Sequence, residues 1–442
     1  AMRRPWVILA AVVALLIVAG AATVWRFYLR PGPPPAEVAP EKAPGLELPD
    51  KPSVAVLPFV NIGGDPEQEY FSDGITEEII TTLSKVPHLF IIARNSVFAY
   101  KGRSVKVQQV GRELGVRYIL EGSVRKAGDR VRITAQLIDA ATGGHLWSER
   151  YDRDLKDIFA LQDEITMKIL TAVRVKLTEG EQARLYAKGA VNLDSFMKVL
   201  QGVPYFYRFN KEGNIQARQM FEEAIALEPK NPGAYTLLGW TYLMEVWFGS
   251  SKSPGKSMEQ AAELAQKALA LDDTLDLPHS LMGNIYLLKR QYEKAIAEDE
   301  RAVALNPNGA DAHAHLGKTL NYVGRPEEAI ALLKKAIRLN PIPPNWYLFT
   351  LGDGYRLAGQ YEEAIPVYKR VLHLNPDDIL THTGLAATYS LLGREEQARA
   401  EASEVLRIEP KFSLEYFVKT LPFKNQADTE RLIDSLRKAG LK

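Results

Sequence analysis

The sequence predicts an α/β fold of the α+β type followed by an all-α superhelix of stacked helix pairs, with one transmembrane helix at the amino terminus. Three observations support this fold class. Residues 6–25 carry no charge, residues 52–180 mix strand and helix patterns, and residues 190–411 repeat with a period of about 34 residues. A fixed period of this length indicates helix pairs that stack and present a long surface rather than an enzyme pocket.

The first element is the apolar segment from Trp6 to Trp25. A helix of this length rises about 30 Å, the hydrocarbon thickness of a bilayer. Two arginines precede the segment and an aromatic cluster follows it at residues 25–28, as membrane-interface anchors would. We therefore expect a membrane anchor over residues 1–30, with the bulk of the chain outside the cytoplasm. A small-x-small sequence at residues 19–21 leaves a cleaved signal peptide, and thus a secreted soluble periplasmic scaffold, as an alternative. A buried helix is the remaining alternative for this segment.

The second element is a linker over residues 31–51. It contains Gly32-Pro33-Pro34-Pro35 and further prolines at positions 40, 44 and 49. Proline-rich chains are extended and semi-rigid, so we expect this segment to hold the following domain away from the membrane.

The third element is a small α+β domain over residues 52–180. Short apolar runs indicate buried strands, and apolar residues at helical spacing indicate helices, in the order β-α-β-α-β-β-β-α. Apolar and polar residues alternate over 131–137, which predicts a sheet with one covered and one solvated face. The strands are placed at residues 53–59, 89–93, 117–124, 131–137 and 145–150, and the helices begin near Ser72 or Asp73 and cover residues 105–114 and 155–177.

The fourth element is the repeat array over residues 190–411. Five segments share one apolar ending and close with a proline, at positions 229, 307, 341, 376 and 410. Within a unit, a small residue such as Gly283 is followed twelve positions later by an alanine such as Ala295, which lets two helices approach closely. The proline then ends the second helix. We count about six units. The second unit has an insertion around residues 246–258, and residues 412–442 are predicted to be capping helices over the last unit.

The repeat pattern resembles the tetratricopeptide repeat (TPR), and several segments of the preceding domain resemble the TolB amino-terminal-like domain. The overall arrangement is similar to the carboxy-terminal half of bacterial class III adenylate/guanylate cyclases of the TPR type. This resemblance implies a regulatory, non-catalytic portion. Together with the membrane anchor predicted from residues 6–25, it leads us to expect a single-pass protein of the bacterial inner membrane with its bulk in the periplasm. Related proteins carry a DNA-binding head instead. The segments that carry the TolB resemblance are residues 54–59, 64–75, 92–96, 118–124 and 144–152.

Composition and missing motifs argue against nucleic-acid binding and catalysis by this chain. The chain has 442 residues, a formal net charge of +1 and no cysteine. A nucleic-acid-binding domain would usually be visibly basic, so we expect no nucleic acid partner. No nucleophile elbow, phosphate loop or metal-ligand spacing is present, so we expect no catalytic residues, no cofactor and no metal. The sequence predicts that this chain is not an enzyme, although a longer parent protein is expected to be able to act as a cyclase.

The array offers the better candidate site. In a TPR array the first helix of each pair lines a concave groove, and aromatic and amide side chains there suit peptide capture. We therefore expect a protein or peptide partner in the groove, with signalling across the membrane. A purely structural role or homo-oligomerisation is left open. By position in the repeat, the predicted groove residues are Trp240, Ser280, Asn284, His315, Lys318, Asn321, Trp346, Asp353 and Arg356.

Overall fold

The computed structural model describes residues 46–178 and 192–442. The predicted membrane span from Trp6 to Trp25 and residues 31–45 of the proline-rich linker lie outside the described residues. Among the residues described, no helix combines the length and the apolar character that a bilayer span requires. Residues 47–442 form one compact unit, which is described here by itself.

The amino-terminal part of this unit is the predicted α+β domain. Its five predicted strands are present, together with a two-residue strand and a one-turn helix that the sequence did not predict, β2 and α2. The strands are β1 (Ser53–Val56), β2 (Val60–Asn61), β3 (Phe90–Ile91), β4 (Tyr118–Ala127), β5 (Arg130–Asp139) and β6 (His145–Asp154), and the helices are α1 (Glu69–Ser84), α2 (Arg94–Phe98), α3 (Val107–Leu114) and α4 (Ile158–Ala172).

The strands form one mixed sheet in the order β3-β1-β4-β5-β6, with β2 paired to β4. Strand β1 is parallel to β3 and β4, whereas β4, β5 and β6 are antiparallel. All four residues of β1 are buried because the strand lies inside the sheet and is covered. In β5 the buried residues alternate with less buried ones from Val131 to Leu137, as the sequence predicted.

Helix α1 begins earlier than predicted. It starts at Glu69, after a 3-10 turn at Pro66–Gln68, and not near Ser72 or Asp73. Asp73 and Glu77 therefore lie inside the helix, and both have cationic partners. Asp73 contacts the ammonium of Lys101 at 2.5 Å, and Glu77 contacts the guanidinium of Arg94 at 2.8 Å.

The carboxy-terminal part is all helical. Residues 192–411 form six helix pairs, and two more helices follow. The pairs are α5 (Leu193–Phe206) with α6 (Lys211–Leu227), α7 (Pro232–Trp247) with α8 (Pro254–Leu271), α9 (Asp276–Leu288) with α10 (Tyr292–Leu305), α11 (Ala310–Val323) with α12 (Pro326–Leu339), α13 (Asn345–Leu357) with α14 (Tyr361–Leu374), and α15 (Ile379–Leu391) with α16 (Glu395–Ile408); the final helices are α17 (Leu414–Thr420) and α18 (Gln426–Ala439).

Small residues permit the close approach within each pair, as expected. A Cβ atom on Gly317 would lie 2.8 Å from Leu333 Cγ, and one on Gly352 would lie 2.6 Å from the ring of Tyr368. The partner alanine Ala295 is fully buried. Side chains on the second helix thus occupy the space that each glycine leaves open.

The first helix pair packs directly on the α+β domain. Leu200 of α5 lies against Gly74 of α1, where an added Cβ would come within 2.5 Å of the leucine side chain. Phe196 of α5 meets Phe159 of α4 edge to face, with ring centroids 4.9 Å apart. One hydrophobic core therefore continues from the sheet into the array.

Loops between repeats also hold the α+β domain. Asn308 donates from Nδ2 to the carbonyls of Ser84 and Val86 at 3.1 and 2.9 Å. The Ala93 amide, just after β3, donates to the Leu339 carbonyl at 2.8 Å. The array therefore covers the β3 edge of the sheet. Two further contacts cross the same boundary, from Ser96 Oγ to Asn340 Oδ1 at 2.6 Å and from Arg338 Nη2 to the Gly115 carbonyl at 2.8 Å.

The carboxy-terminal helices pack on the last repeat, where α18 lies against α15 and α16. Helix α18 begins at Gln426 and is capped by Asn425. The connection before α18 also reaches back to earlier repeats. Arg290 donates to the Phe423 carbonyl at 3.0 Å, and the Phe423 ring meets Tyr322 at 5.0 Å.

Candidate functional site

An aromatic column runs along the first helices of three repeats. The imidazole of His315 is stacked between Trp240 and Trp346, with ring centroids 5.3 and 4.9 Å apart. Trp240 belongs to the second pair, His315 to the fourth and Trp346 to the fifth. The array therefore curves so that the inner helices of these three pairs meet. We call these three residues the inner column.

Lys318 lies beside the inner column. Its ammonium is 5.3 Å from the ring centre of Trp247 and 6.0 Å from that of Trp346, close enough for cation–π attraction. It donates a short hydrogen bond to Asn284 Oδ1. Burial lowers the pKa of Lys318, and the buried carboxyl of Asp299 acts in the opposite direction.

Asn284 links the lysine to the column. Its Nδ2 donates to the Ser280 carbonyl at 2.8 Å and lies 3.1 Å from His315 Nδ1. Burial, with a smaller effect of Lys318, lowers the pKa of His315 well below its usual value, so the ring is neutral. Nδ1 can then accept the Asn284 hydrogen bond, which assigns the ring proton to Nε2.

A second polar group lies further along the inner face. Asp353 Oδ1 accepts from Arg356 Nη2 at 2.9 Å and from Tyr368 Oη at 2.7 Å. Asn321 donates to the Thr350 carbonyl at 2.9 Å. The Asp353 contacts join the two helices of the fifth repeat, and the Asn321 contact ties the fourth repeat to the fifth, so their first role in this structure is to hold the array.

The structure corrects one part of the groove prediction. All nine predicted residues lie on the inner helices, but six of them are buried, because the repeats curve tightly enough for their side chains to pack on one another. The partly exposed residues are Lys318, Trp346 and Asp353, and the buried ones are Trp240, Ser280, Asn284, His315, Asn321 and Arg356. Partner binding by these residues stays a prediction.

One exposed residue of this region escaped the sequence analysis. Trp247 is 39 % exposed, and its ring lies 6.0 Å from that of Trp240. It falls in the predicted insertion, which has no counterpart in the other repeats. Its spacing of seven from Trp240 was an available signal, because residues seven apart share one helix face. We call Trp247, Lys318 and Trp346 the groove patch.

A separate apolar pocket of about 380 Å³ lies at the carboxy-terminal end of the array. Its wall includes Leu380 of α15 and Tyr416 of α17, which are 45 % and 73 % exposed. Its lining also includes the polar residues Thr383, Glu409, Lys411, Ser413 and Thr420. In the described parts of the chain, no group of three histidine, aspartate or glutamate side chains is placed to hold a metal ion.

Comparisons with known proteins identify the repeats. Residues 355–416 and 310–343 match models described as tetratricopeptide repeat, and residues 283–321 match one described as TPR repeat. Residues 50–168 match the model of the HilA/YgeH-like transcriptional regulator, second domain. This description differs from the TolB amino-terminal-like domain, so the TolB resemblance stays a prediction.

Two curated relatives are similar over longer stretches. "Putative adenylate cyclase 3" of Rhizobium meliloti is 46% identical over 264 residues, which cover 59% of this chain and 44% of that protein. "Transcriptional regulator HilA" of Salmonella typhimurium is 22% identical over 302 residues, which cover 68% of this chain and 53% of that protein. The chain thus spans about half the length, or less, of the curated relatives it matches.

Two solved structures are among those that match part of this chain. One is YrrB, described as a TPR protein with an unusual peptide-binding site, at 22% identity and a TM-score of 0.32, covering 46% of this chain and 98% of that one. The other is pilF of Pseudomonas aeruginosa, at 19% identity and a TM-score of 0.38, covering 53% of this chain and 97% of that one. The matched models therefore show tetratricopeptide repeats within residues 283–416, and 59% of this chain is similar to a protein named as a putative adenylate cyclase.

Proposed function

We propose that this chain is a membrane-tethered TPR scaffold that binds a protein partner and relays that binding across the bacterial inner membrane. The TPR repeats support the scaffold role, since stacked helix pairs generally present extended binding surfaces. The tether rests on the uncharged segment from Trp6 to Trp25, and the relay rests on the continuous core between the α+β domain and the array.

The groove patch is the observation that carries partner binding. Tryptophan is one of the residue types enriched at the energetic centre of protein interfaces. Here the Lys318 ammonium is held between two indole rings by one neutral amide, Asn284, and the rings of Trp247 and Trp346 remain partly exposed. A peptide with an aromatic or acidic side chain could bind there without opening the inner column.

The test is capture of a partner with the full chain as bait. Changing Trp247, Lys318 and Trp346 together to alanine should abolish capture of a partner that the wild-type chain retains. The matched control changes Leu380 and Tyr416 to alanine, because these exposed residues lie at the other pocket. Retention by the triple variant and loss by the control would transfer binding to the carboxy-terminal pocket and refute the groove patch.

A second candidate is favoured by one comparison. We infer from the 46% identity to a protein named as an adenylate cyclase that these residues act as the regulatory half of a class III adenylate/guanylate cyclase. The reading frame upstream of residue 1 decides between the two candidates. A cyclase domain encoded there, with cyclic nucleotide formed by the longer protein, supports the second.

The secreted scaffold predicts instead a mature amino terminus near Ala21, which amino-terminal sequencing would detect.

A further inference from the structure

The two edges of the sheet differ. At one edge, β3 is only two residues long, and the array covers it through the Ala93–Leu339 hydrogen bond. At the other edge, β6 extends over ten residues, most of them exposed or partly exposed. Within residues 46–178 and 192–442, no strand pairs with the outer side of β6. A long open edge of this kind is a template for pairing with another strand.

The hydrogen-bonding direction of β6 follows from one bond at its end. The Leu155 amide donates to the Asp129 carbonyl at 2.7 Å, in the same register that pairs Arg130 with Asp154. Hydrogen-bonded and non-hydrogen-bonded pairs alternate along an antiparallel ladder. Residues at odd positions therefore direct their amide and carbonyl groups toward β5. The even positions direct these groups outward from the open edge, and they are Ser148, Arg150, Asp152 and Asp154.

The charges of β6 are arranged around Tyr151 so that they are complementary to those of a second β6 strand that runs antiparallel to it. Glu149 and Arg150 precede the tyrosine, and Asp152 and Arg153 follow it. When the strand is turned about Tyr151, glutamate faces arginine and arginine faces aspartate. The tyrosine side chain is 3 % exposed and belongs to the core. Two Tyr151 residues that face each other at the axis therefore place no like charges opposite one another.

We propose that two copies of this chain pair through their β6 edges, antiparallel and about a two-fold axis at Tyr151. Arg150 of one copy lies opposite Asp152 of the other, and each such pair exchanges two backbone hydrogen bonds because both residues face outward. Glu149 lies opposite Arg153, and Ser148 lies opposite Asp154. The two sheets become one continuous sheet across the axis.

Charge selects this register over its neighbours. Outward-facing residues must oppose one another, so the axis has to pass through a residue of β6 and not between two residues. An axis at a charged residue would place that residue opposite the same residue of the second copy. Like charges would then be directly opposed, which destabilises a strand pair. This excludes axes at Glu149, Arg150, Asp152 and Arg153. The axis at Tyr151 opposes only unlike charges among these four.

Ion pairs within one chain engage three of the four charged residues around Tyr151 and leave the fourth, Arg150, available. Arg150 is exposed, and no residue of the described ranges forms an ion pair with it. Asp152 contacts Arg130 at 2.5 Å and Arg132 at 2.6 Å on the same open face of the sheet. Glu149 contacts Lys168 at 2.8 Å, and Arg153 contacts Glu164 at 3.6 Å, so these three residues would share their charges with the second copy. The outward carbonyl of Asp152 receives a side-chain hydrogen bond from Arg153 at 3.3 Å, an exposed contact that strand pairing would replace.

Charge reversal tests the proposal in the full chain, purified in detergent, with the protein mass measured by light scattering over a range of concentrations. The wild-type chain should dimerise reversibly. Arg150→Asp and Asp152→Arg should each weaken dimerisation about tenfold or more, because two cross-strand pairs become repulsive. An equimolar mixture of the two variants should form mixed dimers, since aspartates of one copy then face arginines of the other. Arg125→Asp, on the same face of the covered strand β4, is the control with the same charge change.

Three outcomes would overturn the proposal. They are a wild-type chain that stays monomeric, a dimer that survives both reversals, and variants that fail to pair when mixed. Cysteine cross-linking gives a second test of the register, because the chain has no cysteine of its own. In Ser148→Cys/Asp154→Cys, the two thiols are roughly 20 Å apart along one strand but about 5.5 Å apart between Cα atoms of paired strands. Oxidation should yield a covalent dimer with this variant and not with Ser148→Cys alone; the reverse result would exclude the Tyr151 axis.

Discussion

Asn308→Ala should loosen the α+β domain from the array without unfolding either. Asn308 is 3 % exposed, and its Nδ2 donates to the Ser84 and Val86 carbonyls. The loss of two buried hydrogen bonds costs about 2 kcal/mol, and up to about 3 kcal/mol if the two carbonyls stay dry. Opening of the interface should therefore become roughly 30-fold more frequent.

The amide of Ala93 reports this opening directly, because its hydrogen bond to the Leu339 carbonyl crosses the interface. Hydrogen exchange of the peptide that contains Ala93 should lose roughly 30-fold protection in Asn308→Ala, while amides inside β4 and β5 keep theirs. The control is Asn375→Ala, which removes the same residue type from an exposed position in a later loop. If Ala93 keeps its protection in the Asn308 variant, or loses it equally in the control, Asn308 does not hold the two parts together.

Three further predictions concern packing, pH and the domain boundary. Gly283→Ala should destabilise the chain by about 1–3 kcal/mol, because the new Cβ would lie 2.2 Å from Asp299 Oδ1; Gly255→Ala, with nothing within 4 Å, should leave the urea midpoint unchanged or raised. Burial lowers the pKa of His313 to about 4. The unfolded state therefore binds a proton that the folded state does not as pH falls from about 6.5 toward 4, and His313 subtracts roughly 3 kcal/mol of stability over that window. Burial raises the pKa of Asp299, so this residue changes the stability with the opposite sign over the same pH range. The measurement is therefore the difference between the wild type and His313→Gln in how much stability is lost as the pH falls. Equal losses in the two proteins would contradict the assignment to His313. Arg94→Met should weaken the contact between α2 and the first repeat, because the guanidinium lies 4.0 Å from the Tyr207 ring centre. Faster hydrogen exchange of the α2 amides would reveal the weakening, and an unchanged exchange rate would speak against this contact.

The repeat architecture could be predicted from the sequence because each unit repeats the same local requirements. The spacing of Gly317 and Ala329, for example, follows from how closely two helices pack, and that rule needs no information from distant residues. The sheet was predictable for a similar reason, since strand patterns such as β5 carry their own alternation. The short elements β2 and α2 were missed because two to five residues carry no period.

The contacts between the two parts could not be predicted. Asn308 meets Ser84 across 224 residues, and no local pattern encodes that meeting. The burial of the inner column has the same origin. Position in the repeat places His315 and Trp240 on inner helices, but the curvature that stacks them depends on side-chain volumes summed over several repeats. Trp247 was missed because it follows no repeat position at all.

The contact between Arg290 and the Phe423 carbonyl has a consequence for how this chain can change in length. Solenoid proteins often gain or lose whole units, because each unit touches only its neighbours. Here the first pair is fixed on α1, the third and fourth are fixed through the Asn308 and Leu339 contacts, and the segment after the sixth is fixed on Arg290. Duplication or deletion of a unit anywhere between these anchor points would pull one of them out of place. These contacts therefore fix the number of repeats in the array. Insertions can be accommodated only in loops such as the one between α7 and α8.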